Sequence, residues 1–194
     1  METHKHFKIF KPYGFLSQFK SNSTFEQKKN FLGSLYPFPQ GTMAIGRLDE
    51  KSEGLLLLTT NGKLSAQITS NSVEKEYYAL VDGAIDDEAI TKMREGVSIG
   101  FNGKKYTTKP SKVSKLEYTP ELPERSKKIR DARHGPTSWI SITLKEGKFR
   151  QVRKMTSAVG FPTLRLVRVR IGNICLDSMQ SGAVIELQDT DILI

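Results

Sequence analysis

The sequence of 194 residues has little of the chemistry that disulfides or metal sites require. It contains one cysteine, Cys175, and three histidines that do not cluster. A single cysteine cannot form a disulfide within the chain, and no zinc-type ligand spacing is present. We therefore expect a reducing cytoplasmic location and no bound metal. Because no base is spaced near Cys175, we predict a small, buried or half-buried side chain there.

Long apolar segments are also missing. The longest purely aliphatic run, Leu55–Leu58, is far too short to span a bilayer. The first residues, Met1–His6, have neither an apolar signal core nor a lipidation motif. A glycine-rich dinucleotide-binding motif is absent as well, so we expect no membrane association and no cofactor.

Positive charge is what the chain has in excess. The 30 Lys and Arg residues against 21 Asp and Glu give a net charge of +9 and a pI near 9.6. Such a balance favours a polyanionic partner, either a nucleic acid or an anionic membrane surface. Since nothing in the sequence anchors the chain to a membrane, RNA is the favoured partner. The length suits one compact domain, which we expect to be a monomer.

The periodicity of apolar residues predicts an α+β protein. Two-residue periodicity or short apolar runs predict strands at 7–10, 43–45, 55–58, 76–81, 140–144, 164–171 and 183–187. Helices are predicted at 63–69, 86–96 and 151–158, a hairpin at 97–106, and more of the sheet at 107–116. The basic segment 124–134 has almost no apolar surface to bury, so we predict a mobile loop that faces RNA.

One polar stretch lies between two of the predicted core strands. It contains Gly46-Arg47-Leu48-Asp49, and a polar loop clamped by buried strands is a good location for chemistry. Taken alone, however, an aspartate in such a loop is more typical of a turn or a helix cap. The tetrapeptide indicates a catalytic aspartate only in combination with the segments that follow it.

Three segments in order carry a family resemblance. They are GRLDEKSEGLLLLTTNGKL, KEYYALVDG and EGKFRQVRKMTSAVGFPTLRLVRVRIGNI. Together they resemble the RsuA-type ribosomal RNA pseudouridine synthases, and most closely their RluE-like branch. The resemblance extends from Lys11 almost to Gly182, and it implies that this protein isomerises a uridine in a stem-loop of large-subunit ribosomal RNA.

The resemblance also implies a fold and a set of site residues. The fold would be the pseudouridine synthase fold, with a mixed, mainly antiparallel central sheet, flanking helices and loops, and a catalytic cleft across the middle. Residues 1–194 would form a single catalytic domain with two lobes. Matching motif to motif places the catalytic aspartate at Asp49, the tyrosine that packs on the reacting base at Tyr77, and the arginine that pairs with the aspartate at Arg153.

Further residues are predicted to bind the substrate. By the same resemblance, Arg47 would contact the RNA backbone or fill the space left by a flipped nucleotide. We also predict substrate contacts from Lys148, Arg150, Gln151, Lys154 and Arg165. Two departures from the family pattern stand out: Phe10 replaces the usual asparagine before Lys-Pro, and the first strand begins too early for an N-terminal RNA-binding module. We expect the catalytic domain itself to hold the RNA.

Pseudouridine formation exchanges a C–N for a C–C glycosidic bond, and it needs no hydride, phosphate donor or metal. The aspartate could attack the ribose, attack the base, or abstract a sugar proton, and the sequence leaves these routes open. A catalytically inactive RNA-binding or ribosome-assembly factor is the main alternative function. A nuclease or a glycosidase is disfavoured, because those sites need clustered or paired carboxylates.

Overall fold

The computed structural model describes residues 4–70 and 73–192. The first three residues of the segment Met1–His6, for which we predicted no signal core, lie outside that range. Within it, no helix is both long and apolar enough to cross a membrane. The strands, in chain order, are β1 His6–Lys11, β2 Phe15–Leu16, β3 Asn30–Phe31, β4 Met43–Ile45, β5 Glu53–Thr59, β6 Lys75–Asp82, β7 Ser98–Phe101, β8 Lys104–Thr107, β9 Lys112–Lys115, β10 Thr137–Leu144, β11 Thr163–Ile171, β12 Ile174–Cys175 and β13 Val184–Leu187. The α-helices are α1 Gly62–Ser70, α2 Asp87–Glu95 and α3 Gln151–Ala158.

The fold class is α+β with a mixed, mostly antiparallel sheet, as predicted. The chain divides into two compact units. The first consists of the described parts of Met1–Val73, Leu122–Lys127 and Arg168–Ile194, and the second of Glu74–Glu121 and Lys128–Val167. Each unit therefore combines segments that are distant in sequence.

The first unit is built on β5. Strand β1 pairs antiparallel with β13 on one side and with β5 on the other, and β4 is antiparallel to β5. The last part of β11 continues the order β13-β1-β5-β11. Every residue of β5 is buried, which explains its unbroken run of leucines, because a strand covered on both faces needs no polar side. Helix α1 follows, and Asn61 Oδ1 caps it by accepting a hydrogen bond from Leu64 N at 3.1 Å.

The second unit has the strand order β11-β6-β10-β9. Its core gathers residues from these strands and from α2 and α3. Ile140, Ile142 and Leu144 on β10 are all buried, which confirms the alternation predicted for that strand. The hairpin prediction is also confirmed: β7 and β8 pair antiparallel and form a two-stranded sheet of their own around Asn102 and Gly103.

Two side chains are more exposed than predicted. Met43 was expected in a buried strand, but β4 has only three residues, and of these only Ile45 is buried. Cys175 was predicted to be buried or half-buried, and this prediction is wrong, since it is exposed on the two-residue strand β12. A strand of two or three residues packs against few neighbouring elements, so some of its side chains stay exposed.

The basic segment 124–134 is anchored at one residue. We predicted a mobile loop because the segment has little apolar surface. The structure shows a polar anchor instead: Arg130 forms an ion pair with Asp82 on β6, and its two terminal nitrogens donate to Gly135 O and Pro136 O, both at 2.9 Å. A short 3-10 turn at Ala132–His134 follows. The prediction from apolar content did not include this polar anchor, and the mobility of the rest of the segment stays a prediction.

This anchor leads to a stability prediction. Arg130→Ala should lower the free energy of unfolding by about 1–3 kcal/mol. The substitution removes a side chain that is only 16% exposed, and it leaves Asp82 without its charged partner and two carbonyl groups without their donor. Arg133→Ala is the matched control, since Arg133 pairs with Asp131 but is 83% exposed, and a change of less than about 0.5 kcal/mol is expected. Urea unfolding measures both, and equal losses would contradict the anchoring role.

Candidate active site

Asp49 lies in the loop between β4 and β5, and hydrogen bonds hold that loop on its N-terminal side. The Ser17 hydroxyl donates to Leu48 O at 2.7 Å and accepts from Leu48 N at 2.9 Å. The Leu48 side chain is buried. One hydroxyl thus satisfies both backbone groups of the residue before Asp49, which fixes the backbone position of the carboxyl-bearing residue. Arg47, two residues earlier, is exposed, as a contact with RNA would require.

A buried lysine holds the other side of the loop. Lys11, at the end of β1, is fully buried, and its Nζ donates to Phe15 O at 2.8 Å, Pro12 O at 2.9 Å and Glu50 O at 3.4 Å. Glu50 O also accepts from Gly14 N at 2.8 Å. The loop that follows β1 and the loop that carries Asp49 are therefore joined through main-chain carbonyl groups, and Asp49 is partly exposed between two fixed neighbours.

Burial lowers the pKa of Lys11 to about 7. The carboxylates of Glu53, Asp49 and Glu50 act in the opposite direction, and the positive charge of Arg168 lowers the pKa further. Arg168 is itself buried on β11, where its Nε donates to Leu55 O at 2.8 Å. Arg168 is therefore one of the interior charges that act on Lys11.

The low pKa of Lys11 predicts a pH-dependent stability. The folded-state pKa of about 7 lies below the ordinary value of 10.5, so between these two values the unfolded chain holds a proton that the folded chain has released. The free energy of unfolding should therefore rise with pH across this window, by up to about 1.4 kcal/mol per pH unit. In Lys11→Met this contribution is absent. Urea unfolding of both proteins at pH 7, 8 and 9 tests this, and parallel profiles would contradict it.

Tyr77 belongs to the second unit. It lies on β6 opposite Ile142 of β10, and its half-buried ring packs against the core of that unit. Its neighbour Tyr78 lies opposite Ser141, and the alternation of a strand directs the two tyrosines to opposite faces, as expected. The strand fixes the tyrosine backbone over eight paired residues, which makes its position rigid.

Arg153 lies on α3, whose inner face is anchored by Val152 and Met155 in the core. Its Nη1 is 3.4 Å from Thr163 O, a weak hydrogen bond to the start of β11. Arg150, just before the helix, has φ = 54°, a left-handed conformation that is uncommon for a residue other than glycine. The loop before α3 thus makes a sharp turn into the helix at this basic sequence.

The remaining predicted binding residues have different environments. Gln151 is buried, and its amide is used internally: Nε2 donates to Glu146 Oε1 at 2.5 Å and Oε1 accepts from Lys148 N at 3.0 Å. Arg165 is buried on β11. The side chains of Lys148 and Lys154 lie over aromatic rings. The contacts of all four with RNA stay predictions.

The predicted site residues divide between the two units. Asp49 and Arg47 belong to the first, and Tyr77, Arg153 and the other predicted binding residues belong to the second. The structure brings Lys148, Gln151 and Lys154 together around the start of α3, and the pairing of Asp49 with Arg153 stays a prediction. Across residues 4–70 and 73–192, no group of three or more His, Cys, Asp or Glu is arranged to hold a metal ion.

Comparison with known proteins identifies the family. Residues 5–158 match the profile of the family described as RNA pseudouridylate synthase. This chain belongs to that family. The finding confirms the resemblance predicted from the motifs, and Asp49, Tyr77 and Arg153 all lie inside the matched region.

Relatives of this pseudouridylate synthase agree with the predicted branch. A Xanthomonas axonopodis pv. citri (strain 306) protein named ribosomal large subunit pseudouridine synthase E is 40% identical over 171 residues, which cover 87% of this chain and 86% of the relative. A Vibrio parahaemolyticus serotype O3:K6 protein with the same name is 41% identical over 92% of this chain and 71% of its own. A solved structure described as a pseudouridylate synthase superposes with a TM-score of 0.75 at 26% identity, covering 99% of this chain and 74% of that one.

Proposed function

We propose that this protein isomerises a specific uridine to pseudouridine in large-subunit ribosomal RNA, with Asp49 as its catalytic residue. The observation that carries the proposal is the similarity to two proteins named ribosomal large subunit pseudouridine synthase E, over most of the length of both. The net charge of +9 supports a polyanionic substrate. We further propose that the chain acts as a monomer in the cytoplasm, as a single catalytic domain over residues 1–194.

The reaction would proceed on a uridine that has left its stack. Unstacking costs a few kcal/mol, and the ring of Tyr77 would offset part of this cost by stacking on the uracil. Asp49 would then attack the ribose, attack the base, or remove a sugar proton. In each route the bond between C1′ and N1 breaks, the uracil rotates, and a bond between C1′ and C5 forms. The proton on C5 is lost at the end, and N1 gains one.

The fixed loop around Asp49 suits this role. Ser17 and Lys11 hold the main chain on both sides of the aspartate, so that its carboxylate needs little rearrangement when the substrate arrives. Arg153 would keep the carboxylate ionised and orient it. A catalytically inactive RNA-binding factor would have no need of a carboxylate where RNA binds, because it repels phosphate.

One incubation tests the proposal. Uridine-labelled ribosomal RNA is incubated with the protein, and the digested nucleotides are separated. Pseudouridine is expected; cleaved RNA would indicate a nuclease, and unchanged RNA that stays bound would indicate an inactive RNA-binding factor. Mapping pseudouridines in cells with and without the protein would identify the modified nucleotide.

Tyr77 should act through its ring more than through its hydroxyl. Stacking on uracil needs only an aromatic face, so Tyr77→Phe should keep the RNA affinity, and Tyr77→Ala should weaken it by about 5- to 150-fold. Equilibrium binding and single-turnover conversion are measured for both variants. A large loss of turnover in Tyr77→Phe at unchanged affinity would instead assign the hydroxyl to proton transfer.

A further inference from the structure

Three aromatic rings and two lysines alternate on the second unit. Lys148 Nζ lies 5.0 Å from the ring centre of Tyr106 and 5.2 Å from that of Phe101. Lys154 Nζ lies 6.0 Å from the ring centre of Phe101 and 5.3 Å from that of Phe149. The order is Tyr106, Lys148, Phe101, Lys154, Phe149, and we call these five residues the ring–lysine cluster. Each ammonium group is within the range of attraction to the ring faces.

The β7–β8 hairpin fixes two of the rings. Its turn has Asn102 at φ = 49° and Gly103 at φ = 73°, the pair of left-handed residues that a tight hairpin turn requires. Ile99 anchors the hairpin in the core of the second unit and pairs across it with Tyr106. The ring centres of Phe101 and Tyr106 are 6.1 Å apart. The hairpin therefore presents these rings from a rigid base.

The same region fixes one of the lysines and binds the Glu146 carboxylate through uncharged donors. Lys154 Nζ donates to Gly100 O at 2.7 Å. Glu146 accepts from Tyr106 Oη at 2.6 Å on one oxygen, and from Lys109 N at 2.9 Å and Gln151 Nε2 at 2.5 Å on the other. The partners of this carboxylate are therefore other groups than Lys148 and Lys154, and an ammonium group with three donors can also bind an anion.

Phe149 is the member of the cluster that internal packing does not explain. Its ring is 66% exposed, although burying a phenylalanine side chain is worth roughly 1.5–3 kcal/mol. Lysine side chains alone would suffice to attract an acidic peptide. An exposed aromatic ring between cations matches the two parts of a single-stranded nucleic acid, in which a flat base alternates with a phosphate.

We propose that Phe149 is a stacking platform for an unpaired base of the RNA strand, with Lys148 and Lys154 binding its neighbouring phosphates. The proposal rests on the proposed function and adds a second point of base contact, apart from the reacting uridine. It assigns to Phe149 and the β7–β8 hairpin a role in holding single-stranded RNA. Because stacking tolerates any base, the contact would add affinity without selecting a sequence.

The test uses an oligoadenylate that contains one 2-aminopurine, whose fluorescence falls when it stacks. This probe has no uridine, so its binding does not depend on isomerisation. Phe149→Ala should weaken binding by about 5- to 150-fold and abolish the quenching, and Phe149→Trp should restore both. Phe25→Ala is the matched control: its ring is 74% exposed and lies near Lys29, but Glu50 neutralises that lysine, and unchanged binding is expected.

Several results would overturn the platform. If Phe149→Ala binds like the wild type while Lys148→Ala and Lys154→Ala lose affinity, the RNA is held by attraction of charge alone. Equal binding of polyglutamate and oligoadenylate by the wild type would indicate an acidic protein partner. The two proposals can fail separately. If the Phe149 variants change oligoadenylate binding as expected but ribosomal RNA gains no pseudouridine, the proposed function is wrong and the stacking role of Phe149 is supported.

Discussion

Asp49→Asn should reduce pseudouridine formation by at least about 10²- to 10⁴-fold, which in practice means to the background of the assay. The substitution keeps the size of the side chain and removes its negative charge. It also leaves intact the contacts that position the loop, since these are made by the main chain of Leu48 and Glu50. RNA affinity should stay the same or rise, because the substitution removes a negative charge that repels RNA phosphates.

The measurement is single-turnover conversion of a uridine-containing RNA, beside the binding constant and the melting curve of each variant. Glu50→Gln is the matched control. It removes a carboxylate from the next residue, whose side chain pairs with Lys29 at 2.6 Å, and it should leave conversion near the wild-type level. Appreciable conversion by a well-folded Asp49→Asn protein would refute the role of Asp49 and reopen the choice of catalytic residue.

The helices whose ends depend on residues nearby in the sequence were predicted from the sequence. Helix α2 begins after Asp86, whose side chain accepts from Ala89 N at 2.8 Å. It ends before Gly96, where φ is 114° and an added Cβ would lie 2.3 Å from Thr108 O. Helix α3 was predicted with the bounds that the structure gives it, Gln151–Ala158. Capping and glycine chemistry act within a few residues, so a sequence shows them.

Contacts between distant segments explain what the sequence did not reveal. Lys11 and Arg168 look like surface charges in the sequence, yet both are buried, because backbone carbonyl groups of Phe15 and Leu55 accept their hydrogen bonds. Arg130 was placed in a loop with little apolar surface to bury, and its partner Asp82 is 48 residues away. A pattern over a few neighbouring residues does not predict a partner so distant in the sequence.

For the candidate site, the sequence proposes residues but does not give their arrangement. A family resemblance gives identities, and the matched segments contain Asp49, Tyr77 and Arg153. It did not give the role of Ser17, which bonds both backbone groups of Leu48 across 31 positions of sequence. The spacing of this serine in the sequence does not indicate that it positions the loop of Asp49.

Arg153→Ala should reduce conversion by about a hundredfold or more and leave RNA affinity nearly unchanged. The proposed role of Arg153 is to hold the Asp49 carboxylate ionised and aimed through a planar, two-pronged donor. Arg153→Lys keeps the positive charge but loses the planar guanidinium group that donates two parallel hydrogen bonds, so it should recover only part of the activity. Because the side chain is half-buried on a helix anchored in the core, the alanine variant should also lose about 1–3 kcal/mol of stability.

Stability loss alone would not establish this role, and two comparisons separate the explanations. Arg94, in the same unit, donates from Nε to Val113 O at 2.6 Å, so Arg94→Ala removes a comparable contact with a strand carbonyl. It should lose stability without losing conversion. If Arg153 acts through the carboxylate, Arg153→Ala should destabilise the Asp49→Asn protein less than the wild type, by a coupling of about 0.5–3 kcal/mol. Equal losses in both backgrounds would mean that Arg153 serves the helix and not the aspartate, and the partner of Asp49 would have to be sought among the other cations of the chain.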